Sequence, residues 1–177
     1  IPNRDFKINE LPIVKRPRPG HADLVGVLKY GRQDARDILE RASARETTAR
    51  VAVGAVCRAF LKEFGVEIVS HVVSIGGVTA DTEGLDFTSI KKAALHSPMH
   101  CADKTAEKKM MARVDEAQKK KDTIGGIFEV VVTGVPVGLG SFLHYDRRLT
   151  AKLAATLMSI QAVKGVDFAT LVHRYSR

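Results

Sequence analysis

Arg16-Pro-Arg18-Pro-Gly-His21-Ala-Asp23 presents two arginines and a histidine from a stretch stiffened by two prolines. Proline fixes φ and narrows the unfolded ensemble, so such a loop can hold a preset shape. A histidine displayed there can move protons near neutral pH. Arginine forks grip phosphate and carboxylate oxygens bidentately. Because a lone loop histidine is more often structural, proton transfer at His21 depends on its surroundings. Further on, Ser43-Ala-Arg45-Glu46 has the spacing of a capping box. In that motif the serine hydroxyl accepts from the Glu46 amide, and the Glu46 carboxylate accepts from the amide of Ser43. The remaining first-turn amides then point outward, where the helix dipole favours an anion. Arg41 precedes the cap and Arg45 lies in the first turn. An isolated box reads as a plain helix start. From Lys15 to Arg58, however, ten Lys/Arg stand against five Asp/Glu, which favours a pocket for phosphate and carboxylate groups.

The elements that must position these residues follow from periodicity and turn chemistry. Residues 1–14 read as extended, with Ile8, Leu11, Ile13 and Val14 as packing anchors, and Leu24 to Leu39 as an irregular charged bridge. The helix after Ser43 runs to about Phe64 and stops at Gly65, a suitable C′ residue. Its small and branched residues (Ala49, Val51, Ala52, Val53, Gly54, Ala55, Val56, Ala59) go right round it, which predicts burial between layers. Gly54 is costly in a helix, so a close approach by another element is expected there. Val66 to Ile75 alternates as a strand ending at Gly76-Gly77. Asp86 to His96 predicts a short helix, and Asp103 to about Lys121 a longer polar one with Met110, Met111 and Val114 packing on one side. After the turn Asp122–Gly126, Ile127 to Thr133 reads as a strand. Asp146 can cap a helix with Leu149, Leu153, Leu157 and Ile160 in one stripe, and Val163 to Phe168 reads as a strand. Antiparallel-type turns favour α+β packing in one domain over a doubly wound sheet.

With 177 residues, 45% hydrophobic and 27% charged, the chain is long enough for one sizeable core. No apolar run is long enough to span a membrane, and Ile1-Pro-Asn-Arg-Asp5 has no signal-peptide pattern. Cys57 is expected to be a buried thiol, and two cysteines make no disulfide framework, so a reducing cytoplasm is the expected compartment. His96, His100, Cys101 and Asp103 approach a ligand set, but Ser97-Pro98 interrupts it and no second pair has metal spacing; no metal is expected. The net charge of +8 admits nucleic acid as a partner. With 6% aromatics and no tryptophan there is no evident stacking platform, so small polyanions fit the clustered arginines better. Thr133-Gly-Val-Pro-Val-Gly-Leu-Gly140 has neither nucleotide-loop arrangement and is weak evidence for one.

Five segments in one order resemble chorismate synthase. They are Arg16–Asp23 with Lys29-Tyr30-Gly31, Ala42–Thr47, Asp122–Gly126, Thr133–Gly140 and Leu157–Val166. The resemblance implies a sandwich of buried helices between antiparallel β-sheets and a cytosolic homotetramer. It implies a lyase of the shikimate pathway, which serves aromatic amino-acid biosynthesis. This lyase makes chorismate from 5-enolpyruvylshikimate 3-phosphate by anti-1,4-elimination of phosphate and a ring hydrogen. Reduced FMN is required without net redox change, and NADP is among the cofactors associated with the family. It further implies that His21 is the catalytic histidine beside the flavin. Arg41, Ala42, Ser43, Arg45, Gln161 and Ala162 would contact FMN, and Arg18, Ser43 and Arg45 the substrate. The family's Gly-x-Ser-His-Gly-type and Arg-Ser-Asp-type motifs are absent, and the chain departs from the pattern after Phe168. The expectation is therefore a core portion of the family fold, inactive by itself. The alternative is a basic module that binds nucleic acid or another polyanion.

Overall fold

The computed structural model describes residues 6–168. Residues 1–5 and the divergent tail from Ala169 lie outside the described residues. The chain divides into two compact units, one of residues 1–57 with 159–163 and the other of residues 58–158 with 164–177.

In the first unit, Ile8–Glu10 form a single 3-10 turn, not extended chain. Ile8, Leu11 and Ile13 are exposed and anchor nothing. Val14 is held through its backbone instead, its amide donating to Asp34 Oδ1 at 2.9 Å and its carbonyl accepting from Ala35 at 2.9 Å. The bridge expected to be irregular contains two helices, α1 (Asp23–Tyr30) and α2 (Arg36–Leu39). Gly31 ends α1 in the left-handed conformation, with φ 60°. The two helices meet where Gly26 faces Ile38. A Cβ at Gly26 would lie 2.5 Å from Ile38 Cγ2, so only glycine lets them approach this closely.

α3 (Ala44–Lys62) forms almost where expected but corrects the prediction of burial. It has no buried residue, Val51, Val53, Val56 and Phe60 are all exposed, and open space surrounds a Cβ built on Gly54. Apolar residues all round a helix ask for partners on every side, and the described residues do not supply them. Cys57, on this helix, is likewise exposed, contrary to expectation.

α3 closes with a Schellman motif, Val66 donating to the Leu61 carbonyl at 3.1 Å and Gly65 to that of Lys62 at 2.9 Å. The second unit is built on one three-stranded antiparallel sheet in the order β2-β1-β3. β1 (Glu67–Ile75) turns through Gly76-Gly77 into β2 (Val78–Thr79) and pairs along its length with β3 (Gly126–Thr133). Two helices sit between these strands in sequence. In α4 (Phe87–Leu95), Asp86 caps by accepting from Ser89 at 2.8 Å. In α5 (Lys104–Lys120), Asp103 caps by accepting from Thr105 and Ala106 at 2.7 and 3.1 Å. The core gathers Ala80, Cys101, Ala106 and the fully buried Met110, with Val72, Ile75, Val78 and Met99 against it. Met111, expected beside them, faces outward.

α6 (Leu149–Met158) has no buried residue, and Asp146 lies in a separate 3-10 turn, Tyr145–Arg147, and does not cap it. Val163–Phe168 form no strand. A strand needs a neighbour for its ladder, and none pairs with this segment among the described residues. The outcome is a mixed α+β chain carrying one small antiparallel sheet. No helix among the described residues is long and apolar enough to cross a membrane.

Candidate functional site

The Pro/Gly loop and the first turn of α1 converge on one carboxylate. Asp23 is wholly buried, and its Oδ2 accepts from the Arg18 amide at 3.0 Å and from Arg18 Nε at 2.8 Å. Its Oδ1 lies 3.0 Å from Arg18 Nη2 and 3.1 Å from His21 Nδ1. Arg18 Nη2 also lies 3.0 Å from the same ring nitrogen. The pairing is a bidentate fork, the strong form of arginine–carboxylate contact. Asp23 also sits at the helix N-terminus, where negative charge is favoured. The hydrogen bonds from Arg18, outweighing the cost of burial, hold the Asp23 carboxyl far below the usual carboxylate range and raise Arg18.

That shift has a sign with a measurable consequence. In the folded chain Asp23 stays ionised at a pH where the unfolded chain takes up a proton. Its stabilising effect is therefore complete above the ordinary carboxylate range, near pH 4, and is lost as the pH falls toward the folded value. Asp23→Asn should lower stability at neutral pH by about 2 kcal/mol, the scale of hydrogen bonds to a charged group. It should also flatten the acid limb of the stability curve below about pH 5. Urea unfolding across that range checks both, and a variant with an unchanged acid limb would contradict the assignment.

The α1–α2 packing shapes a second feature. A cleft of about 400 Å³ is lined by Tyr30, Arg32, Asp37, Ile38, Arg41 and Ala42. Arg32 faces Asp37 across 3.7 Å, whereas Arg41 has no acidic partner among the described residues. Ala42 leads into Ser43, whose φ of 54° is left-handed. An N-cap residue needs extended φ/ψ, so the predicted capping box does not form. The Glu46 carboxylate lies 3.0 Å from Arg50 Nε one turn on, as an i,i+4 pair. Arg45, in the first turn of α3, holds Glu40 Oε2 at 2.9 Å. Gln161 and Ala162 lie exposed in the segment after α6, Ala162 with φ 68°. The neighbouring Ser159 hydroxyl accepts from Arg50 Nη1 at 2.8 Å, which fastens this segment to α3.

The structure thus joins Arg18 to His21, and Arg41 to Ala42, in two groupings of one unit. Arg18, His21, Ser43 and Arg45 do not line the cleft. Asp23 has no assigned role in the sequence reading of the loop; the signal for it is the Arg-x-x-His-x-Asp spacing at a helix start. Among the described residues no group of His, Cys, Asp or Glu is arranged to hold a metal ion. His96 Nδ1 instead faces the Lys92 carbonyl at 2.7 Å, and Asp103 caps α5. Burial raises the pKa of the Cys101 thiol, whose Sγ faces the Asp103 carbonyl at 3.3 Å.

A proline-stiffened loop gathers Arg18 and His21 on a buried carboxylate, and a separate cleft is lined by Arg32 and Arg41, in a mixed α+β chain. A family model described as chorismate synthase matches residues 1–174. The chain belongs to the chorismate synthase family. It is 54% identical over 158 residues to chorismate synthase of Lysinibacillus sphaericus, 56% over 158 to that of Geobacillus thermodenitrificans and 53% over 156 to that of Bacillus subtilis. Each alignment covers 88% of this chain and 40% of the relative. A crystal structure of chorismate synthase superposes with a TM-score of 0.73 at 42% identity, covering 86% of this chain and 51% of that one. The chain therefore spans about two-fifths of the length of these curated relatives.

Proposed function

We propose that the full-length protein is a chorismate synthase, eliminating phosphate and a ring hydrogen from 5-enolpyruvylshikimate 3-phosphate. Phosphate leaves with its C–O electron pair, a ring proton departs from the opposite face, and a second ring double bond forms with no net oxidation. The observation that supports this most is the buried Asp23 holding Arg18 and His21 side by side. Arg18 engages Asp23 through Nε and Nη2, which leaves Nη1 for an anionic group of the substrate. Arg45 serves a second anionic group, and the Ser43 hydroxyl donates beside it. His21 exchanges a proton at Nε2.

The donor set also suits the flavin that the family uses. Arg32 and Arg41 offer guanidinium groups to a phosphate, and Tyr30, Ile38 and Ala42 offer apolar surface to a flat ring. Of the residues that would hold it, Arg41 and Ala42 line the cleft, whereas Ser43, Arg45, Gln161 and Ala162 lie outside its lining and would complete the flavin site from there. Reduced FMN, when bound, would supply an electron-rich ring system to an elimination that needs no net redox change. Two stacked polyanions need this density of positive charge around them. In this reading the enzyme works in the cytoplasm as a homotetramer, and the helix–sheet sandwich that would enclose α3 belongs to the complete fold.

The test is anaerobic phosphate release from 5-enolpyruvylshikimate 3-phosphate by the full-length protein. Release should require reduced FMN, and the 177-residue chain alone should give none. No release with reduced flavin, or equal release without it, would overturn the reading.

A further inference from the structure

We infer that Asp23 is a positioning residue that fixes the tautomer of His21, holding the ring proton on Nδ1 and leaving Nε2 as the exchanging nitrogen. This rests on the proposed proton role of His21, but the tautomer can be observed without any ligand.

The inference follows from counting donors and acceptors. An ionised carboxylate offers about four lone-pair sites. Those on Oδ2 are filled by the Arg18 amide and Nε. Those on Oδ1 face Arg18 Nη2 and His21 Nδ1. Asp23 is fully buried, so no water takes the fourth site. If Nδ1 lacked a proton, its lone pair would confront that of Oδ1 at 3.1 Å, and one buried acceptor site would go unmet.

Arg18 Nη2 offers a competing hydrogen bond into Nδ1 at 3.0 Å. Its side chain is 46% exposed, however, so water can satisfy that second Nη2 proton. The unmet acceptor would be buried, whereas the unmet donor would be wet. An unsatisfied buried group is the more costly of the two, so Nδ1 carries the hydrogen.

Long-range 1H–15N spectra of the histidine-labelled chain, at a pH where the ring is neutral, report which nitrogen bears the proton. A His21→Gln variant assigns the signals among the six histidines. The wild-type chain should show the Nδ1–H form of His21 in about tenfold excess or more. Asp23→Asn should invert that preference, because the amide can present its NH2 to Nδ1 while Arg18 also donates there. Arg18→Gln, which keeps the carboxylate, should retain Nδ1–H. A wild-type Nε2–H form overturns the inference, even if both variants fail to fold. So does a folded Asp23→Asn chain that keeps the wild-type tautomer. Adding FMN tests the functional reading separately: a His21 signal that does not respond counts against the flavin role and leaves the tautomer assignment standing.

Discussion

His21→Ala in the full-length protein should lower turnover by about 10²–10⁴-fold, the range typical of a positioned general acid or base. Flavin affinity should hold. The loop supports this separation of effects, because the three contacts between Arg18 and Asp23 do not pass through the imidazole. Removing the ring therefore leaves the arginine fork and the start of α1 in place. Only the imidazole and its contacts with Asp23 and Arg18 are lost. Anaerobic phosphate release under saturating substrate measures the first effect, and an FMN titration of the same preparation measures the second. Turnover within about twofold of the parent would remove His21 from the chemistry. Joint loss of turnover and flavin binding would recast it as a structural member of the loop.

What the sequence disclosed, and what it hid, divides along physical lines. The starts of α4 and α5 near Asp86 and Asp103 were legible, and each aspartate accepts first-turn amides, a local interaction. Gly65 marked the end of α3 for the same reason. β1 and β3 were legible from alternation, since each finds its partner within the chain. The failures are non-local or depend on conformation. Ser43 and Glu46 have the spacing of a capping box, but spacing cannot reveal a left-handed φ at Ser43 or Arg50 waiting one turn along. Leu24, Val25 and Leu28 share one face of α1 but stay exposed, so this apolar stripe marks no core contact. The stability of α1 comes from the Gly31 stop and from Ile38 pressed on Gly26. The apolar girth of α3 showed a need for partners without showing whether this stretch of chain contains them. In the candidate site, Arg18 and His21 were readable from loop chemistry. Asp23 was legible only as the last member of the Arg-x-x-His-x-Asp spacing, because its role arises from burial, which a carboxylate in a charged segment does not advertise.

Gly134→Ala should be among the most damaging single changes in the second unit, although the residue sits in an exposed glycine-rich segment. Gly134 follows β3 at φ 71°, which costs an L-residue about 1–2 kcal/mol. Its added Cβ would also be driven into the Gly65 carbonyl oxygen, well inside contact distance, with Val66 Cα 3.4 Å away. Both neighbours are backbone, and Gly65 is bound into the Schellman turn, so neither can yield as a flexible side chain would. Overpacking of this kind adds about 1–3 kcal/mol. The strain falls where Glu67 pairs with Thr133, so the β1–β3 ladder should open from this end. Gly138 in the same segment is the natural control. It also has positive φ, 97°, but nothing lies within 4 Å of its added Cβ. Gly138→Ala should therefore show the conformational cost alone. A urea midpoint that falls much further for Gly134→Ala, with amide exchange accelerated first at Glu67–Val69, would identify the glycine as a backbone spacer. Equal losses for the two variants would show that the contact with Gly65 carries no weight.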